Sequence, residues 1–148
     1  VISMSEEDTK QKNKIANTKM AVDLLTSSCQ LEPELNAEQM NFNLKIKTNV
    51  QISEKPANFD LTKTVNIKKA QKMIADKIKS EIKASLKAGQ QKYRADIFGY
   101  GNHIYRKYPQ AWQEIKDDWE QIYPTVKTNI KVEVTIKRLG MLSKPVIE

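Results

Sequence analysis

An α+β fold is what the sequence predicts, and three observations carry the prediction. Residues 40–52 and 126–136 alternate apolar and polar side chains, residues 66–97 place apolar or small residues every three or four positions, and a second helical repeat opens at Pro109. The expected architecture is an antiparallel sheet packed around one long central helix, with a short helical turn and a second helix before the last strand. At 148 residues the chain suits a single domain with its own core. Residues 1–12, polar and without apolar periodicity, are expected to fray, leaving 13–148 as the α+β domain.

Residues 13–39 leave two readings open. "KIANTKMAVDLL" suits a hairpin turning at Asn17-Thr18 or one short helix, with strands preferred, and "QLEPELNAEQ" around Pro33 reads as a connection. From Met40 the pattern sharpens. Met40, Phe42, Leu44, Ile46, Val50 and Ile52 are apolar and their neighbours polar, with Thr48 the one break. Such alternation means one face on a core and one in water, the habit of antiparallel sheets. "NFDLTKT" after Pro56 offers a short further strand with Phe59 and Leu61 inward.

Along residues 66–97 the stripe is Ile67, Ala70, Ile74, Ile78, Ile82, Ser85, Gly89, Tyr93 and Ile97. An unbroken helix of that length would run roughly 48 Å, whereas a domain of this size is about 40 Å across. It is therefore expected to act as a central shaft, with Ala70, Ser85 and Gly89 letting strands approach. "PQAWQEIKDDWEQIY" starts with proline in its first turn and sets Trp112, Ile115, Trp119 and Ile122 on one face until Pro124 ends it. Trp112 and Trp119 read as core anchors. In the last strand Val126, Ile130, Val132, Val134 and Ile136 face one way.

Between the helices lies "RADIFGYGNHIYRKYPQAW", with Gly99, Gly101 and His103, the single histidine of the chain. A dinucleotide fingerprint would need a third glycine where Ile104 stands and a strand in front; the phosphate-loop G-K-[ST] is missing, and Ile97 interrupts any kinase-like D-F-G. His103 has no adjacent Cys or His to share a metal and no sequence-evident catalytic partner. The structural reading accounts for more of the residues. Gly99 and Gly101 form a hinge permitting positive φ, Asp96 or Asn102 caps the next turn, and Phe98, Tyr100, Ile104 and Tyr105 fill the corner. No catalytic, cofactor-binding or metal-binding residue is assigned.

The charge is +7, and residues 62–94 hold ten Lys or Arg against two acids, Asp76 and Glu81. Lys68, Lys69, Lys72, Lys79, Lys83 and Lys87 form a candidate basic face, suited to anionic lipid or acidic loops. Nucleic acid is a rival partner, but the aromatics cluster at 93–123 instead of alternating with the lysines as a base-stacking platform would. Cys29 stands alone, which excludes an internal disulfide. "DLLTSSC" is faintly similar to a lipoprotein cleavage site, but Asp23 interrupts a short apolar run, and an incidental thiol is the better reading.

Residues 90–141 resemble the C-terminal domain of the Ger(x)C family of spore germination proteins. The resemblance rests on Asp96 to Gly101 as D-I-F-G-[FY]-G after a long helix, on Tyr105-Arg106-Lys107, Pro109 and Trp112, on Trp119 seven residues later, and on "VKTNIKVEVTIKRLG" ending at Gly140. It continues more loosely back to about residue 40. The resemblance implies a non-enzymatic lipoprotein subunit of a nutrient germinant receptor, peripheral to the spore inner membrane outside the cytoplasm, beside membrane-embedded subunits. It also implies a signal peptide and a lipidated cysteine upstream, and a sheet curving about a long helix. Tyr100, His103, Arg106 and Lys107, on the outer side of the hinge, are the candidate partner contact. The alternative is a basic module binding nucleic acid or a membrane surface.

Overall fold

The computed structural model describes residues 2–3, 19–36 and 39–137; most of 1–12, the Asn17-Thr18 turn and the end of the family motif at Gly140 lie outside the described residues. Among the described residues four strands lie in the order β1 (Ile2–Ser3), β2 (Lys19–Asn36), β3 (Gln39–Glu54) and β4 (Lys127–Ile136). Between β3 and β4 come α1 (Thr64–Lys87), a π-helical turn (Ala88–Tyr93), α2 (Tyr100–Lys107), α3 (Pro109–Ile115) and α4 (Trp119–Ile122), with 3-10 turns at Lys116–Asp118 and Tyr123–Thr125. The class is α+β, as the patterns predict.

One strand direction differs from the expectation. Ile2 and Ser3 pair antiparallel with Met20 and Lys19, and two residues separate β2 from β3, a connection that only antiparallel neighbours can use. β4, however, runs parallel to β3. Lys47 faces Glu133 at 3.9 Å, and further along both strands the Lys137 N–H donates to the Val50 carbonyl at 2.8 Å. The sheet is mixed, and the whole helical segment between β3 and β4 supplies the long crossover that parallel neighbours require.

The chain divides into two compact units, the first built from residues 1–28, 47–77 and 133–148 and the second from 29–46 and 78–132. In the first, the inward positions are Met20, Val50, Ile52, Leu61, Ala70, Ile74, Val134 and Ile136, an aliphatic core between strand and helix faces. Thr48 keeps the alternation: it is buried, and its hydroxyl donates to the Thr26 carbonyl at 3.1 Å. Residues 57–62 form turns, not the additional strand expected, because the Asp60 carboxylate accepts from the Thr62 N–H and hydroxyl. Leu61 is buried there all the same, while Phe59 is half-buried. Those two hydrogen bonds hold the Asp60 carboxyl below the usual range.

In the second unit the core joins Leu31, Phe42, Leu44, Leu86, Tyr100, Ile104, Tyr123, Val126 and Ile130. "QLEPELN" is strand, not connection; Leu31 and Pro33 point inward at alternate positions, and the described pairing with β1 reaches only Met20 and Lys19, far from Pro33, so that part of β2 tolerates proline as an edge does. The long helix is shorter than expected and turns its stripe. Its last turn is π-helical and closes at Arg94, whose φ of 48° and ψ of 37° are left-handed. Tyr93 and Ile97 are exposed and Ser85 bonds back to the Glu81 carbonyl, while Leu86 and Gly89 are buried. Widening the turn to i→i+5 shifts the residues that follow off the 3.6-residue stripe. What Gly89 admits is the carbonyl of Ala95 and the side chain of Ile97, not a strand. The second helix is likewise interrupted at Lys116–Asp118, where two aspartates of poor helix propensity sit.

Candidate functional site

The "DIFGYG" corner lies wholly within the second unit, and Asp96 organises it. One carboxylate oxygen accepts the Tyr100 N–H at 2.7 Å; the other accepts the Gly101 N–H at 2.8 Å and the Trp119 indole N–H at 3.3 Å. Two of these donors are the first free N–H groups of α2, so the carboxylate caps that helix and complements its positive end. With three donors on it, Asp96 is a structural tie.

The two hinge glycines have different reasons. Gly99 adopts φ 70°, and nothing stands within 4 Å of where a Cβ would be; its requirement is conformational. Gly101 lies inside α2 without positive φ, but a Cβ there would sit 2.8 Å from the Trp112 ring and 3.2 Å from the Trp119 indole nitrogen. Its requirement is space. The two indoles meet edge to face at 5.5 Å over it.

Tyr100 is fully buried, stacked on Phe42 at 4.0 Å and edge-on to Tyr123 at 5.7 Å, with its hydroxyl 2.6 Å from the Thr128 hydroxyl. Burial raises the pKa of Tyr100 above the ordinary tyrosine value. The same cause, reinforced by the Asp96 charge, takes Tyr123 up to about 12, and the Tyr123 hydroxyl is buried with no hydrogen-bond partner among the described residues.

The structure separates the four residues expected to meet a partner. Tyr100 belongs to the core and has no outward surface, because the turn before α2 directs it between β3 and Tyr123. Lys107 reaches β2, donating to the Pro33 carbonyl at 3.1 Å and pairing with Glu32 at 3.3 Å. Arg106 is exposed and His103 half-buried on α2. Tyr105, expected to fill the corner, is 51% exposed. Trp112 and Trp119 are half-buried against the core cluster. Of the basic face, Lys68, Lys69 and Lys72 lie in the first unit, with Lys72 paired to Asp76 at 3.1 Å; Lys79, Lys83 and Lys87 lie in the second. Cys29 is an exposed free thiol. The ties of Lys107 to β2 and of Trp119 to Asp96 had no sequence signal, since both join residues far apart in the chain.

A family model described as spore germination B3/GerAC-like, C-terminal, matches residues 1–140, nearly the whole chain. The chain belongs to this family. Spore germination protein KC of Bacillus subtilis (strain 168) is 28% identical over 87% of the chain, and spore germination protein YndF of the same organism is 22% identical over 88%. In each case the match covers 32% of the relative's length, so this GerAC-like domain spans about a third of those proteins. Among solved structures, the crystal structure of the GerBC protein superposes with a TM-score of 0.67 at 18% identity, covering 80% of this chain and 40% of that one. That likeness concerns the fold. Among the described residues of the GerAC-like domain, no helix is long and apolar enough to cross a membrane, and no group of three or more His, Cys, Asp or Glu gathers as a metal site would.

Proposed function

We propose that this GerAC-like domain is a non-enzymatic part of a spore nutrient germinant receptor and acts in spore germination by assembling with membrane-embedded receptor subunits. The observation that carries the reading is the family match over residues 1–140. The corner chemistry agrees with it: Asp96, the acidic group nearest the hinge, is occupied by three protein donors. On this reading the protein resides at the outer face of the spore inner membrane, held by a lipid anchor upstream of the domain, and the +7 charge favours an anionic surface.

The contact assigned to partner subunits is the exposed side of α2, centred on Arg106 and His103. Reversing the charge with Arg106→Glu, at an exposed position, is expected to leave the domain folded by circular dichroism and to reduce the amount of assembled receptor in spore membranes. Normal receptor levels and normal germination in spores carrying that change would remove the assignment. Affinity capture from spore membranes tests the wider reading: transmembrane receptor subunits should accompany the domain. Tight, steeply salt-dependent binding to labelled nucleic acid would instead favour the basic-module alternative.

A further inference from the structure

The second unit contains an open cleft of about 420 Å³ lined by Lys83, Leu86, Lys87, Gln90 and Gln91 on the helical side and by Val126–Ile130 on the other. Four consecutive strand residues, Lys127 to Ile130, line it together with Val126 just before the strand, although neighbours in a strand point to opposite faces; the cleft therefore follows the edge of β4 and not one face of the sheet. β4 is the terminal strand in the sheet order.

The direction of its backbone groups follows from two hydrogen bonds. Lys137 sends its N–H to Val50 on β3, and Ile136 sends its N–H the other way, to the Gln71 side chain of α1. Alternation along the strand then turns the N–H and C=O of Thr128 and Ile130 away from β3. Val126 shares that direction, and its carbonyl accepts from the Gln90 side chain at 2.9 Å. Glutamine amides thus satisfy outward groups at Val126 and Ile136, whereas the outward backbone groups of Thr128 and Ile130 have no partner among the described residues. Three exposed lysines, Lys83, Lys87 and Lys127, surround this open stretch, with no carboxylate in the lining.

We propose that this stretch of β4 receives a short, extended, acidic segment of a partner protein, which pairs with the backbone of Thr128 and Ile130 while its carboxylates meet Lys83, Lys87 and Lys127. Strand addition at a sheet edge draws affinity from main-chain hydrogen bonds and selectivity from flanking side chains. Here the flanking charge does two things: it repels the edge of a second copy, the common protection of an open strand, and it selects a strand of opposite sign. Leu86, Val126 and Ile130 supply an apolar floor for the alternate side chains of the segment. The inference does not depend on the receptor reading.

The test uses the full chain and a labelled peptide alternating valine and glutamate, followed by fluorescence anisotropy and amide hydrogen exchange. Saturable binding is expected, with added protection at the Thr128 and Ile130 amides. The triple change Lys83→Glu, Lys87→Glu, Lys127→Glu should weaken it by roughly tenfold or more. A peptide of identical sequence, methylated on alternate backbone nitrogens in either register, should lose roughly tenfold while keeping its charge. Equal binding of the methylated peptides, or protection confined to other strands, would overturn the proposal. So would vesicles of anionic phosphatidylglycerol that occupy the three lysines while the unmethylated peptide does not bind. Because the methylation arm uses the unaltered protein, it decides the matter even where the triple variant unfolds.

Discussion

The two units solve the same problem with different chemistry. The first is aliphatic, its inward positions supplied by strict alternation in β3 and β4 and by helical spacing at Ala70 and Ile74. The second is aromatic and depends on particular contacts: Phe42 on Tyr100, Tyr100 on Tyr123, and the Trp112–Trp119 pair over a glycine, with one carboxylate tying α2 to α4. An aliphatic core tolerates exchanges of similar volume. The aromatic one is held by shape and by polar ties, so single atoms matter there, and the D-I-F-G-Y-G part of the family motif falls in this second unit.

The sharpest way to test that difference is to truncate each core. Phe42→Ala removes the stacking partner of Tyr100 and is expected to cost about 3–5 kcal/mol in denaturant unfolding, against about 1 kcal/mol for Ile52→Val in the aliphatic unit. Similar losses for the two would erase the contrast. Next comes Asp96→Asn. The amide keeps one acceptor oxygen but turns its NH2 toward donors, and a loss of about 2 kcal/mol is expected, with a change in the near-ultraviolet signal of Trp119. Retention of both stability and signal would show that the carboxylate is not the tie.

The glycines then separate shape from backbone conformation. Gly101→Ala must displace the Trp112 ring and is expected to cost about 2 kcal/mol by overpacking, whereas Gly99→Ala, in open space at φ 70°, should cost about 1 kcal/mol from the left-handed backbone alone. Thermal melts would rank them, and the reverse order would contradict the crowding at Gly101. The smallest effect near neutral pH is expected from Tyr123→Phe, since the hydroxyl removed has no described partner. Its consequence appears in alkali. The tyrosine pKa is raised from 10.0 to about 12 by burial and by Asp96, so the unfolded chain loses this proton first and stability falls as pH rises between those values. In the phenylalanine variant that part of the alkaline decline should be absent.

Legibility in the sequence followed the same division. The alternation from Met40 to Ile52 predicts β3, including its inward face, because strand periodicity is local and one side of the strand is buried. Asp96 and Asn102 were both legible as caps of α2, and the structure gives the role to Asp96. Leu86, four residues after Ile82, holds the helical stripe in place of Ser85, but nothing local marked the π-turn that follows and leaves Tyr93 and Ile97 exposed, since that turn closes on the corner packed against Gly89. Pro33 misled for a related reason: its effect depends on whether its strand has a neighbour on that side.

By itself the sequence determined β3, β4, the long helix and the glycine-marked corner, because spacing, capping and φ preference act over a few residues. Only the tertiary structure decided that β4 lies parallel to β3, that Tyr100 is interior while Arg106 is exposed, that Gly101 is needed for an indole and not for a turn, and that the outward backbone of Thr128 and Ile130 lies beside three lysines without a partner among the described residues. Each of those depends on groups distant in the chain meeting in space, where volume, burial and unpaired hydrogen-bonding groups impose conditions that no local pattern records.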